Sequence, residues 1–495
     1  MTLATAMLAV PLITMGLILL PNSIRLIGYL NTLGMLALLA AAVATIPLIL
    51  TQSSIDAWHQ LIRIDALSGL VVTLVAFVAF QSSLYSVGYW EGQPEHERGS
   101  LRKIKGYYAL FDLFVLSMVL VCITDNLGIL WVALEATTLT SAFLIGYHQR
   151  AASLEAAWRY LIVCSVGISF ALVGIILAYA SAVHAIGFHP QALTWSHLAS
   201  VANRLDPATL KLAYVFAVVG FGTKAGLVPM HTWLPDAHSE APTPVSALLS
   251  GVLLKCSIYA IVRFTILANH GLGEGFAQPI LVGLGLLSIA VATPFILAET
   301  HIKRLLGYHS IEHIGIITLG LGFGSPLAVY GSLFHILNHA MTKSLLFFTA
   351  GNLAMKYGTV EMDKMKGALS LMLLTGGTLL IGGLALAGSP PFSIFASEFL
   401  IIMAGIGAGQ RLATGLFILL LVIIFAALLH HFSEIAFSAK PAGSAEEPAA
   451  GELNPLTVWA LVLPLLSIVV MGWTVPGPLS ELLQKATEIV AGVRP

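Results

Sequence analysis

The sequence predicts an all-α integral membrane protein of about fourteen transmembrane helices, built around two inverted five-helix repeats, and three observations carry that prediction. Of the 495 residues 58% are hydrophobic and only 9% charged, so the chain cannot make an ordinary solvated surface. Apolar runs near the ~20 residues that a helix needs to cross a ~30 Å hydrocarbon core recur along its length. They lack the short alternating segments of a membrane β-barrel. Two of these runs are interrupted, at "GLVPMHTWLPDAHSEAPTP" and at "LAGSPPFSIFASEF". Unwound backbone at membrane depth is tolerated only where it is buried in protein or lines a polar cavity, so both breaks point to internal function.

In order, the spans fall at 3–20, 25–50, 66–89, 107–124, 127–147, 156–183, 211–230, 243–268, 278–297, 302–322, 327–352, 370–402 with its break, 412–437 and 456–475. No basic stretch precedes the first apolar run and a second run follows directly, so 3–20 reads as a span and not as a cleaved signal. An even number of spans puts both termini on one face. The breaks in spans seven and twelve lie five spans apart, which divides the chain into an N-terminal three-helix region (1–106), a first repeat (107–268) and a second (278–437). A polar loop, the last span and a short tail (438–495) follow. An odd number of spans per repeat requires opposite orientations. The tail, "SELLQKATEIVAGVRP", is too short to span and belongs at the surface.

With the termini outside, thirteen basic loop residues, Lys303 and Lys440 among them, lie inside, and seven, Arg263 and Arg494 among them, lie outside. That bias orients the chain. The balance of 23 basic and 24 acidic residues offers nothing to nucleic acid. Cys122, Cys164 and Cys256 lie in apolar runs without metal-ligand spacing and read as small core residues.

Three lysines remain mid-span: Lys224, Lys255 and Lys343. A charge at the bilayer centre costs roughly 2.5–3.5 kcal/mol on insertion scales, which makes each a functional candidate. Glu135 in span five is the natural counter-charge of Lys224. With the carboxylate near, the lysine holds its proton; with it withdrawn, an unpaired ammonium in a dry interior gives the proton up. The alternative is a static ion pair that fixes helix packing. Lys255 extends the line along the midplane. His335, His339 and Lys343 repeat at four-residue intervals, so they share one helix face and read as titratable relay groups. A metal site there lacks a third ligand in the sequence. Glu312 and His313 sit mid-span in "HSIEHIG" and are placed to connect that face to Lys255. Glu398 follows the second break, either as the terminal titratable group or as a helix-dipole partner. His231, Asp236 and His238 are assigned to the first break and its mouth; Asp112 and Glu155 read equally well as structural.

These residues resemble those of a known family, the antiporter-like, proton-pumping membrane subunits of respiratory complex I, group 4 NiFe hydrogenases and multi-subunit Na⁺/H⁺ antiporters. The stretches that carry the resemblance, over about residues 65–430, are "DNLGILWVALEATTLTSAFLIGY", "GFGTKAGLVPMHTWLPDAHSEAPTPVSALLSGVLLKCSIYA", "ETHIKRLLGYHSIEHIGII" and "HILNHAMTKSLLFFTAGN". The resemblance implies a proton relay through Glu135, Lys224, Lys255, His335, His339, Lys343 and Glu398, with His313 beside it. Within the family, "EATTLTSAFLIGY", "AAWRYLIVCSVG" and "SIEHIG" look most like the hydrogenase-4 branch, its component F above all. The resemblance also implies a bacterial or archaeal cytoplasmic membrane, no redox centre in this chain, and a NiFe centre and iron–sulfur clusters in partner subunits. Those partners would be other membrane subunits and peripheral redox subunits. The short tail differs from the long lateral helix of the distal complex I subunit. Two other readings within reach are a Na⁺/H⁺ antiporter subunit and the membrane subunit of an inorganic-carbon uptake complex.

Overall fold

A computed structural model describes residues 3–187, 191–438 and 450–492. Lys440, Arg494 and most of the predicted polar loop lie outside the described residues. A helix occupies each of the fourteen predicted positions. Among the described residues, however, only ten are both long and apolar enough to qualify as spans by themselves. Leu3–Leu17 is short, and the twelfth span is split into Leu373–Leu386 and Ser393–Gly407. Ile302–Phe323 and Pro326–Tyr357 fall short for the reason that makes them interesting: they carry the buried histidines, glutamate and lysine.

Burial separates core from periphery. The apolar window of the eighth span, within Thr243–Leu272, is 100% buried against protein, while that of the second is 33% buried. The eighth, tenth and eleventh spans form the centre, and helices with one apolar face left bare surround them. Small residues bring neighbours close: Gly220 packs on Ala171 of the sixth span, and Gly285 packs against Gly315 and Leu319 of the tenth, as expected where van der Waals contact replaces the hydrophobic effect.

The first break follows from glycine chemistry. Pro207–Ala225 is ended by Gly226 at φ 79°, a left-handed C-cap that any side chain would strain. The Trp233 indole then donates to the Thr223 carbonyl at 2.9 Å, satisfying an acceptor the helix end leaves bare. The short helix Leu234–Glu240 completes the seventh unit. The eighth span contains a feature that hydropathy does not reveal, a π-helical turn at Leu249–Leu253 between Thr243–Leu248 and Leu254–Leu272. The second break, 387–392, also opens on a positive-φ glycine, Gly388.

A small antiparallel hairpin, Ser54–Ala57 with Ile62–Asp65, is the only strand pair among the described residues, beside three isolated bridges. It lies on the termini's face: Trp58 donates to Thr5, and Lys485 of the tail helix Gly477–Ala491 donates to the Leu50 carbonyl at 2.5 Å. The tail docks through Leu482, Leu483 and Ala486.

Candidate functional site

The site begins at the last turn of Pro207–Ala225, where the helix C-terminus favours a cation and Lys224 is wholly buried. Its Nζ donates to Thr138 Oγ1 at 2.6 Å and to Tyr160 OH at 2.7 Å, and lies 4.9 Å from the centre of the Tyr160 ring. Glu135 is not in direct contact with it. The carboxylate sits half-buried on the flank of its helix, accepting from Ser165 Oγ at 2.7 Å and from Thr138 Oγ1 at 3.2 Å. The expected ion pair is thus replaced by a contact relayed through one hydroxyl. Glu135 lies on the outer side of span five, and Thr138, nearly one turn on, faces inward.

The π-turn positions the next group. Lys255, wholly buried, donates back to the carbonyl of Ser250, five residues earlier. The Ser250 hydroxyl meets that of Ser310 at 2.8 Å. Ser310 Oγ donates to the Leu306 carbonyl at 3.0 Å, and Lys343 donates to the same carbonyl from the other side. Between Lys255 and Lys343, one from each half of the molecule, therefore lie the Ser250 carbonyl and hydroxyl, the Ser310 hydroxyl and the Leu306 carbonyl. Ser310 makes the hydrogen bond to the eighth span, while Glu312 bonds His309 and His313 stacks on His339 of the histidine–lysine face. Lys224 and Lys255 are not directly bonded. Among the described residues none of the three ammonium groups has a carboxylate within 4.0 Å.

Beyond Lys343 the axis is imidazole. His339 stacks on His313 with ring centres 4.5 Å apart, and His313 Nδ1 lies 2.9 Å from His335 Nε2. His335 Nδ1 meets Ser397 Oγ at 3.0 Å. Asn338 anchors the second break by donating to the Ser393 carbonyl at 2.7 Å. Glu398, 5% exposed, follows Ser397, and its carboxyl rests where a Cβ on Gly388 would be, so a side chain there would push the carboxyl aside. His309, which nothing in the sequence singled out, closes the other end: its Nδ1 lies 2.7 Å from Glu312 Oε2. The i, i+3 offset from Glu312 was the available clue.

The other candidate residues divide. Asp236 stays at the surface, paired with Arg159 and, at 3.5 Å, with Arg304. Glu155 pairs with Arg159 at 2.8 Å. His231 remains partly exposed at the break. His238 is not at a mouth: it is wholly buried against Phe347, 5.3 Å between ring centres, and Phe347 in turn lies beneath Lys343. Asp112 is buried off the axis, accepting from Asn31. Two basic residues assigned to loops are interior. Arg263 makes two 2.7 Å bonds to Asp65, and Lys303 donates to the Ser239 and Ala241 carbonyls. Lys303 lines a polar cavity of about 490 Å³ with Glu97, His148, Glu240 and His301, on the face opposite the termini. Burial, with Lys303 and Arg304 nearby, lowers the His301 imidazole to about 4, so it is neutral at pH 7.

Residues 124–424, which contain all of this axis, match the family described as NADH:quinone oxidoreductase/Mrp antiporter, TM. The chain is 36% identical to a hydrogenase-4 component F homolog of Methylacidiphilum infernorum over 82% of each protein. It is 32% identical to hydrogenase-4 component B of Escherichia coli over 68% of this chain and 50% of that one. The structure of an archaeal membrane-bound sulfane sulfur reductase complex contains a chain of the same fold, with a TM-score of 0.86 at 25% identity over 99% of this chain and 98% of that one. With its break-flanked lysine, bridged midplane and histidine axis inside the matched region, this chain belongs to the NADH:quinone oxidoreductase/Mrp antiporter membrane-subunit family.

Proposed function

We propose that this chain is a proton-translocating membrane subunit of a redox-driven assembly of the group 4 hydrogenase and complex I type. Protons would be taken up through the polar cavity beside Lys303 and pass along Lys224, Lys255, Lys343, His339, His313 and His335 to Glu398. The observation that carries the reading is the bridge Lys255–Ser250–Ser310–Leu306–Lys343. It lines the gap between two ammonium groups that have no fixed counter-charge with two hydroxyls and two acceptor carbonyls, groups that can hold a water to carry the proton across, and a lysine so placed can release and regain a proton.

Moving one charge against 100 mV requires about 2.3 kcal/mol, which a change in the Glu135–Thr138–Lys224 contact in a dry interior can supply. The nitrogen-rich axis favours protons over sodium, which needs clustered oxygen ligands. The positive-φ glycines Gly226 and Gly388, each opening a break, support the division into inverted repeats 107–268 and 278–437. On this reading the termini face outward across a bacterial or archaeal cytoplasmic membrane, and nickel–iron and iron–sulfur centres belong to partner subunits. Lys224→Ala should abolish proton uptake, read with a pH-sensitive dye in proteoliposomes holding the intact assembly. Uptake at the native rate would make Lys224 structural; uptake unchanged by Glu398→Gln would place the exit elsewhere.

A further inference from the structure

Two sets of three metal-ligating side chains overlap on His313. His309, Glu312 and His313 share one helix; His313, His335 and Glu398 come from three different spans, each offering one ligand atom within 4.8 Å of the other two. We propose that His313, His335 and Glu398 form a binding site for a divalent transition cation of the Zn²⁺ type, and that an ion held there blocks the axis. Binding follows from the geometry alone; blockage rests on the relay proposed above.

Two imidazoles and a carboxylate are a common ligand set for zinc, which leaves a fourth position for water. Imidazole donors select Zn²⁺, Co²⁺ and Ni²⁺ over Mg²⁺ and Ca²⁺. His313 Nδ1 and His335 Nε2 already face each other at 2.9 Å. An ion ~2.0–2.1 Å from each in tetrahedral geometry needs them only ~3.3 Å apart. The far side of the His335 ring is held by Ser397 Oγ, 3.0 Å from Nδ1, while Glu312 Oε2 lies 4.0 Å from His313 Nε2, near enough to add negative charge but not to bond it. A backing group such as Ser397 orients a ligand ring and raises its basicity. Glu398 Oε1 is buried without a hydrogen-bond partner, so its acceptor is unspent. Glu398 and Glu312 together balance a double positive charge in an apolar interior. The single-helix set, His309, Glu312 and His313, shares His313 and is the competitor that the variants must separate.

The intact assembly, stripped with chelator, would be titrated with Co²⁺ and followed by its visible ligand-field absorption. One ion per chain, displaced by Zn²⁺ but not by Mg²⁺, is expected. Glu398→Gln and His335→Gln should each weaken binding by more than about tenfold, while His309→Gln leaves it within about threefold. If a variant fails to assemble, X-ray absorption at the zinc edge of the unaltered protein still tests the donor set: two imidazoles and oxygen are expected, and a shell without two imidazoles would overturn the site. Binding lost in His309→Gln but kept in Glu398→Gln would overturn the assignment, as would an adventitious ion only, seen as non-saturating uptake. Micromolar Zn²⁺ should arrest proton uptake, reversibly with EDTA. Tight binding without arrest would overturn the blockage and count against the relay; no binding would overturn the site and leave the relay standing.

Discussion

Arg263 and Lys255 lie on the same helix, eight residues or about 12 Å apart, and both are buried, yet their surroundings have nothing in common. Arg263 makes two 2.7 Å bonds to Asp65 and one of 2.9 Å to Ser68, and its guanidinium lies 4.3 Å from the Trp195 ring centre and 4.9 Å from that of Tyr259. Lys255 has one backbone carbonyl and no carboxylate within reach. The arginine is a fixed clamp between the third and eighth spans, saturated and stacked. The lysine is held loosely by a neutral acceptor that asks nothing of its protonation state. On the proposed relay, burial alone does not mark a working charge; an unsaturated environment does.

The most severe way to break this contrast is Lys255→Ala. Proton uptake in proteoliposomes should fall to background while the assembly remains intact on gel filtration, and a native rate would place Lys255 with Arg263 as packing. Asp65→Ala should do the reverse. It strands a buried guanidinium, at a cost of about 3–5 kcal/mol, so thermal stability and yield drop while uptake per assembled complex is unchanged. A smaller effect is expected from Ser250→Ala with Ser310→Ala, which breaks the bridge and leaves both lysines; uptake should slow by about tenfold, and more than either single change predicts. Thr138→Val keeps shape but removes the hydroxyl between Glu135 and Lys224, and a loss of about tenfold at most is expected, near the lower end of what one hydrogen bond to a charged group contributes, about 1.5 kcal/mol. If Thr138→Val leaves uptake untouched, the carboxylate acts on the lysine through space or not at all.

The histidine region adds a second side to the contrast. Around Lys224 the partners are hydroxyls and a flanking carboxylate that is half-exposed, open to influence from outside the chain. From His339 to Ser397 they are imidazoles sealed in the core, suited to passing protons and, by the same chemistry, to trapping a metal. Much of this was legible in the residues themselves. Charges stranded in apolar runs announce themselves because the bilayer penalises them, and the two breaks are written in glycine and proline. Lys224, Lys255, Lys343, His335, His339 and Glu398 were all found in this way. Thr138, Tyr160, Ser250, Ser310 and His309 were not, since serine, threonine and tyrosine are unremarkable in any span and only their partners make them matter.

The sequence by itself determined that the chain crosses a membrane many times, where its helices break, and which side chains can carry charge at depth, because those properties follow from local hydropathy and backbone preference. Only the tertiary structure decided that Glu135 reaches Lys224 through Thr138, that a π-turn aims Lys255 back at Ser250, and that His313, His335 and Glu398 converge. The first and the last join spans distant along the chain, the second turns on a register shift within one helix, and a hydrogen bond is decided by ångströms of approach and by the angle at which its groups meet, which no run of residues encodes on its own.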